Sequence, residues 1–184
     1  DDTLDASSAT ENVALYGKAG ADTLTGGSGI DKLYGGDDND TITGNAGNDS
    51  LYGDAGDDTV SGGDGADRIY GGTGADALYG GAGNDSLYID GDDTVFDGGE
   101  GIDKVFVLSG DDTNINLAAN NLEYASGNTG NDTFDATGVT ANVSLYGKDG
   151  DDVLTGGEGA DRIYGNDGAD ELRGGAGNDS LYID

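Results

Sequence analysis

An aliphatic residue recurs every nine positions through the first half of the chain: Leu24, Leu33, Ile42, Leu51, Val60, Ile69, Leu78 and Leu87. Between consecutive members lies a glycine-rich stretch with one fixed acidic position. A period of nine fits no amphipathic helix and no long alternating strand, and marks a repeat array. Written out, the unit is G-G-x-G-x-D-x-U-x with U aliphatic, and it runs eight times without a break from Gly17 to Tyr88. Gly26 to Tyr34 and Gly62 to Tyr70 are clean copies. Each unit predicts a turn, then a short strand. In the strand, side chains alternate, so position eight points inward and its neighbours point out. In the turn, glycine permits positive φ without steric penalty. Where glycine is lost at position two, Asn45, Asp54 and Asn166 are types that tolerate the left-handed region. Lys18 and Lys148 are the exceptions.

A second period overlies the first. Position nine is Tyr in every second copy, at Tyr16, Tyr34, Tyr52, Tyr70 and Tyr88, and again at Tyr146, Tyr164 and Tyr182. The intervening copies carry Thr25, Thr43 and Ser61, with Tyr79 breaking the rule. Two repeats therefore close one coil. The pattern predicts an all-β, right-handed β-solenoid of stacked 18-residue coils, with two parallel sheets around an aliphatic ladder. Strands stack ~4.8 Å apart. One outer face carries a tyrosine ladder and the other a hydroxyl ladder. Cross-strand stacking that supports the sheet is the favoured reading of the tyrosines, ahead of a binding surface.

Position six holds Asp22, Asp31, Asp40, Asp49, Asp58, Asp67, Asp76 and Asp85. A shortened copy, Ile89 to Phe96, places Asp93 in that slot, and Gly98 to Phe106 places Asp103. From Val107 to Ser126 the acidic slot lapses. There the nine-residue frame Gly110 to Ala118 puts Leu117 in the aliphatic slot and Ile115 in the acidic one, and Leu122 and Tyr124 repeat the spacing. Gly127 to Asp135 restores Asp132, Gly138 to Tyr146 carries Val143, and four good copies supply Asp152, Asp161, Asp170 and Asp179. Residues 132–136 and 143–148 echo residues 2–6 and 13–18 at an offset of 130. The expectation is one continuous solenoid segment over 1–184, cut from a longer protein. Its regular blocks span 17–106 and 147–182, and its irregular turns 107–126 and 136–146.

Composition narrows the chemistry. The 184 residues include 38 Gly but no Pro, Cys, His, Met or Trp, and 38 acidic residues face 7 basic ones for a net charge of -31. Without His or Cys there is no imidazole base, thiol nucleophile or soft-metal site. The charge disfavours nucleic acid, whose affinity comes from Lys and Arg. No apolar run approaches a membrane span. Asp, a hard oxygen ligand suited to calcium, is what remains. Stacked coils place Asp22, Asp40, Asp58 and Asp76 in one column and Asp31, Asp49, Asp67 and Asp85 in the other. Carboxylates ~5 Å apart repel by roughly 3 kcal/mol at an effective dielectric near 20. Low hydrophobicity with high charge is also the signature of disorder, so the chain is expected to be disordered without a cation.

These residues resemble the haemolysin-type, or RTX (repeats in toxin), calcium-binding nonapeptide, strictly over 17–88 and 147–182. The resemblance implies a parallel β-roll, type I secretion, and folding outside the cell on meeting calcium. It implies that position-six Asp side chains bind calcium: Asp22, Asp31, Asp40, Asp49, Asp58, Asp67, Asp76, Asp85, Asp93, Asp103, Asp132, Asp152, Asp161, Asp170 and Asp179. It also implies carbonyl ligands from the turns, at Gly17 and Gly20, Gly26 and Gly29, Gly35, Gly44 and Gly47, Gly53 and Gly56, Gly62 and Gly65, Gly71 and Gly74, Gly80 and Gly83. In the second block they are Gly147 and Gly150, Gly156 and Gly159, Gly165 and Gly168, Gly174 and Gly177. Bridging pairs would be 22–40, 40–58, 58–76, 31–49, 49–67, 67–85, 152–170 and 161–179, with 2–22, 76–93, 85–103 and 132–152 less regular. Asp38 replaces Gly at position four, which predicts a distorted turn there. Roughly eight to twelve Ca2+ ions are expected, each in a six- to eight-oxygen shell.

The expected function is a calcium-binding structural module of a secreted protein, found outside the cell or at its surface. The alternative is a carbohydrate- or surface-binding module of an adhesin or polysaccharide-modifying enzyme. No catalytic role is expected, because every regular Asp already has a turn role. Expected partners are calcium and, through the parent protein, the type I secretion machinery. Strand edges at the ends allow end-to-end self-association.

Overall fold

A computed structural model describes residues 1–183; Asp184, the last residue of the expected segment, lies outside the described residues. Among the described residues the regular structure is β throughout, with no helix. The chain divides into two compact units, at Asp1–Asp103 and Lys104–Asp184.

In the first unit the strands are β1 (Thr3–Asp5), β2 (Ala14–Ala19), β3 (Thr23–Thr25), β4 (Lys32–Asp37), β5 (Thr41–Ala46) and β6 (Ser50–Ala55). They continue with β7 (Thr59–Asp64), β8 (Arg68–Thr73), β9 (Ala77–Ala82), β10 (Ser86–Ile89) and β11 (Val95–Glu100). Odd strands form one sheet in the order β1-β3-β5-β7-β9-β11, and even strands form another in the order β2-β4-β6-β8-β10. Every pairing is parallel, and Leu33 pairs with Leu51 and Leu51 with Ile69, eighteen residues on each time. This is a β-solenoid of two-strand coils, as the alternation at position nine predicts.

The second unit repeats the plan with β12 (Lys104–Val107), β13 (Asn114–Asn116), β14 (Tyr124–Ser126), β15 (Thr133–Asp135) and β16 (Ser144–Asp149). It ends with β17 (Val153–Thr155), β18 (Arg162–Asp167), β19 (Glu171–Arg173) and β20 (Ser180–Tyr182). Its sheets run β12-β14-β16-β18-β20 and β13-β15-β17-β19.

The position-eight side chains form the core of each unit. Leu24, Leu33, Leu51, Val60, Ile69, Leu78 and Leu87 are fully buried, as are Leu145, Leu154 and Ile163 in the second unit. Position-nine tyrosines stack outside: Tyr16, Tyr34, Tyr52, Tyr70 and Tyr88 follow one another at centroid distances of 4.1–5.0 Å, with planes within 8° of parallel. Tyr146, Tyr164 and Tyr182 do the same.

The irregular stretch corrects the nine-residue frame. Ile115 pairs with Phe134 and so sits in the aliphatic slot, not the acidic one. Thr113 takes the acidic slot, its N–H donating to Asp132 Oδ1 at 3.0 Å. Leu117 is buried but lies in the following turn. Tyr124 pairs with Lys104 and Ser144, which places it at position seven with Ala125 inward. The reason is local: coils here are longer than eighteen residues, and the extra residues form a tight turn in which Leu122 N–H donates to the Leu117 carbonyl at 3.0 Å.

Candidate metal centre

Each turn brings its position-six Asp inward beneath the next coil. The carboxylate is anchored by one oxygen. Asp22 N–H donates to Asp40 Oδ1 at 2.7 Å, Asp40 to Asp58 at 2.7 Å, Asp58 to Asp76 at 2.8 Å and Asp76 to Asp93 at 2.8 Å. The other column repeats this through Asp31, Asp49, Asp67, Asp85 and Asp103 at 2.7–2.8 Å. In the second unit the series links Asp132, Asp152 and Asp170, and Asp161 with Asp179. All the bridging pairs from 22–40 onward are therefore juxtaposed; Asp2 N–H likewise donates to Asp22 Oδ1.

The second oxygen behaves differently. Oδ2 of Asp22, Asp40, Asp49, Asp58, Asp67, Asp76, Asp85, Asp152 and Asp170 is buried and makes no hydrogen bond. A buried polar atom without a partner costs ~1–3 kcal/mol, and more when charged. Its surroundings are oxygen. A Cβ on Gly17 would lie 2.5 Å from both Asp22 Oδ2 and the Gly35 carbonyl oxygen of the next coil. Gly44 stands in the same relation to Asp49 Oδ2 and the Gly62 carbonyl, each 2.5 Å away. Glycine at position one thus leaves a point onto which a carboxylate and a carbonyl converge. Among the described residues no three Asp, Glu, His or Cys side chains gather as a metal cluster, so backbone carbonyls must supply most of any shell.

The acids register this environment. Burial, followed by the neighbouring carboxylates, pushes Asp49, Asp58, Asp76 and Asp152 up to about 6 and Asp67 up to about 7. Burial likewise raises Asp40, Asp85 and Asp132. Hard, anionic, oxygen-only and carbonyl-rich, the donor set fits calcium.

Backbone geometry matches the residue types. Position two is left-handed at Lys18, Asn45, Asp54, Lys148 and Asn166, with φ of 68–87°. Asp38, in place of glycine at position four, adopts φ 77°, against 126–134° at Gly47, Gly56, Gly65, Gly74 and Gly83, while Asp40 Oδ2 is buried and unpartnered like its neighbours.

One set of working residues escaped the sequence reading. At position five, Asn48 Oδ1 accepts the Ala66 N–H at 2.8 Å, and Asn84 Oδ1 that of Ile102 at 2.8 Å. Asn39 and Asp57 do the same for Asp57 and Ala75 at 3.0 Å, and Asn131 and Asp151 for Asp151 and Ala169 at 2.8 Å. These bonds run from the coil above to the side chain below, opposite to those of position six. The recurrence of Asn12, Asn48 and Asn84 every 36 residues was the available signal.

No curated protein matches the chain. The family model for the RTX calcium-binding nonapeptide repeat, built of four copies, matches residues 16–51, 52–87 and 146–181. Those matches cover more than half of the sequence and fall on the turns with orphaned carboxylate oxygens, and on both grounds the chain belongs to the RTX calcium-binding nonapeptide repeat family.

Proposed function

We propose that this chain is a calcium-assembled structural module of a secreted protein, disordered in chelator and folded in extracellular calcium. The observation that carries this reading is the row of buried, unpartnered Asp Oδ2 atoms, those of Asp22, Asp40, Asp49, Asp58, Asp67, Asp85 and Asp152 converging with a carbonyl of the next coil. Bound calcium would supply the positive charge that offsets these carboxylates and a shell of six to eight oxygens. The chain's own part is to anchor each carboxylate through Oδ1, aim Oδ2 inward, and exclude water with the aliphatic ladder. The intervals 22–40, 40–58, 58–76, 76–93, 49–67, 67–85, 85–103 and 152–170 meet these conditions best. Regions 107–126 and 136–146 are assigned no ion.

Export follows from the same coupling. Where calcium is scarce the chain stays unfolded, and where it is abundant binding free energy becomes folding free energy. Its family is typical of secreted, extracellular proteins, and type I export fits that history. The family is a structural calcium-binding module, and we assign this chain no catalytic role. The carbohydrate-binding alternative gains no support from Tyr34, Tyr52 and Tyr70, whose ring faces are spent on their stacked neighbours.

Far-UV circular dichroism during a calcium titration from chelator tests the proposal. The expected outcome is a cooperative gain of β signal with calcium and none with magnesium. A full β signal in chelator would sink it.

A further inference from the structure

Turns of this chain take two forms, and the sequence motif does not separate them. In the open form, position two is left-handed, as at Gly36, Gly63, Gly72 and Gly81 with φ of 112–122°. The preceding strand then runs six residues, through turn position three, as in β4, β7, β8 and β9. Asp Oδ2 is unpartnered in such turns.

The turn Gly26 to Asp31 is closed instead. Gly27 N–H donates to Asp31 Oδ2 at 2.7 Å. Strand β3 stops at Thr25, before the turn begins. The Gly44 carbonyl of the next coil still converges with Asp31 Oδ2 on Gly26, 2.6 and 2.7 Å from where its Cβ would lie, so what sets this turn apart is that its Oδ2 is already engaged by an N–H. The turn Gly156 to Asp161 repeats the arrangement in the second unit: Gly157 N–H donates to Asp161 Oδ2 at 2.8 Å, and β17 stops at Thr155. Both are motif-perfect.

The cause lies one coil below. Each closed turn rests on a turn with valine in the acidic slot: Val13 N–H donates to Asp31 Oδ1 at 2.8 Å and Val143 N–H to Asp161 Oδ1 at 2.9 Å. Those lower turns follow another path. Their Ala9 and Val139 carbonyls accept Ser28 N–H at 2.9 Å and Glu158 N–H at 2.8 Å. Strand pairing cannot continue into the turn above, and its position two turns its amide onto its own carboxylate. Asp132, resting on Thr113, shows a longer version, with Asn128 N–H 3.4 Å from Oδ2.

We infer that the intervals 31–49 and 161–179 take no calcium, and that these self-closed turns are metal-independent footings on which the calcium-bearing turns of each unit stack. This rests on the reading that the open turns bind calcium. Among turns that carry the full motif, it makes the residue below a turn the determinant of whether a cation enters; the shortened turn at Asp93 closes on the Asp90 N–H at 2.9 Å although Asp76 lies beneath it.

Equilibrium dialysis of the full chain against calcium compares wild type, Asp31→Asn and Asp67→Asn. The expected result is that Asp31→Asn keeps the wild-type ion count while Asp67→Asn loses at least one ion. Loss of any ion in Asp31→Asn overturns the inference. A wild type that binds no calcium, or an Asp67→Asn that loses none, defeats the calcium reading instead. If Asp31→Asn fails to fold, a through-hydrogen-bond coupling between the Gly27 amide nitrogen and the Asp31 carboxylate carbon is sought in the calcium-saturated wild type. Its presence supports the closed turn, and its absence overturns it.

Discussion

Backbone angles at two turn positions separate a turn that offers a free carboxylate from one that satisfies itself: φ is positive at Gly63 and Gly65 of an open turn and at neither Gly27 nor Gly29 of a closed one. Gly63 shows what that costs in residue choice. Its φ is +112°, and a Cβ there would run into the Asn45 carbonyl of the coil below. Gly63→Ala therefore meets both a disfavoured left-handed conformation, roughly 1–2 kcal/mol, and a steric clash with backbone. The expected outcome is a lower melting temperature in saturating calcium and a calcium midpoint moved to higher concentration. Asp54→Gly, at φ 77°, should leave the melting temperature within a few degrees of wild type, because glycine adopts that conformation freely. An equal loss in the two variants would remove the backbone argument.

At the scale of strands and coils, the hydrophobic spine sets the register. Leu51 is fully buried between Leu33 and Ile69. Leu51→Ala should destabilise the calcium-loaded unit by about 2–5 kcal/mol, read from denaturant unfolding. A change under 1 kcal/mol would mean that the spine carries less of the fold than its burial implies. The spine, the Tyr stacking and the Asp columns were legible in the sequence because each is a strict period read at one position. The frame of 107–126 was not, because extra residues were absorbed in the turn Leu117 to Leu122 and a nine-residue count slipped by two. The closed turns were invisible for another reason. Gly26 to Asp31 and Gly62 to Asp67 are the same motif, and what distinguishes them is Val13 beneath one and Asp49 beneath the other. That is information about a neighbour eighteen residues away.

Over the whole molecule the charge of -31 and the buried acids act together. Asp49, Asp58, Asp67, Asp76 and Asp152 are raised by burial from an ordinary value of 3.8 to about 6 or 7. Between those values the folded chain holds protons that the unfolded chain has released. Metal-free stability is therefore present in acid and falls as pH rises through about 4 to 7. In chelator, β signal at about pH 4.5 should exceed that at about pH 7.5. Calcium reverses the dependence, since its ligands must be ionised, and its affinity should fall as the solution drops below about pH 6. Circular dichroism at the two pH values, with and without calcium, checks both signs. A metal-free chain more structured at neutral pH would contradict the first.

The stacked tyrosines make assembly visible without a label. The chain has ten Tyr and no Trp, and Tyr79 is the one that breaks the alternation within the first array. Rings 4.1–5.0 Å apart and nearly parallel are close enough for their electronic transitions to couple. The phenol band should then split into a signed pair in the near-ultraviolet dichroism whose amplitude grows with each coil laid on the last. The protein would report its own length of ordered stack in light that its backbone does not absorb.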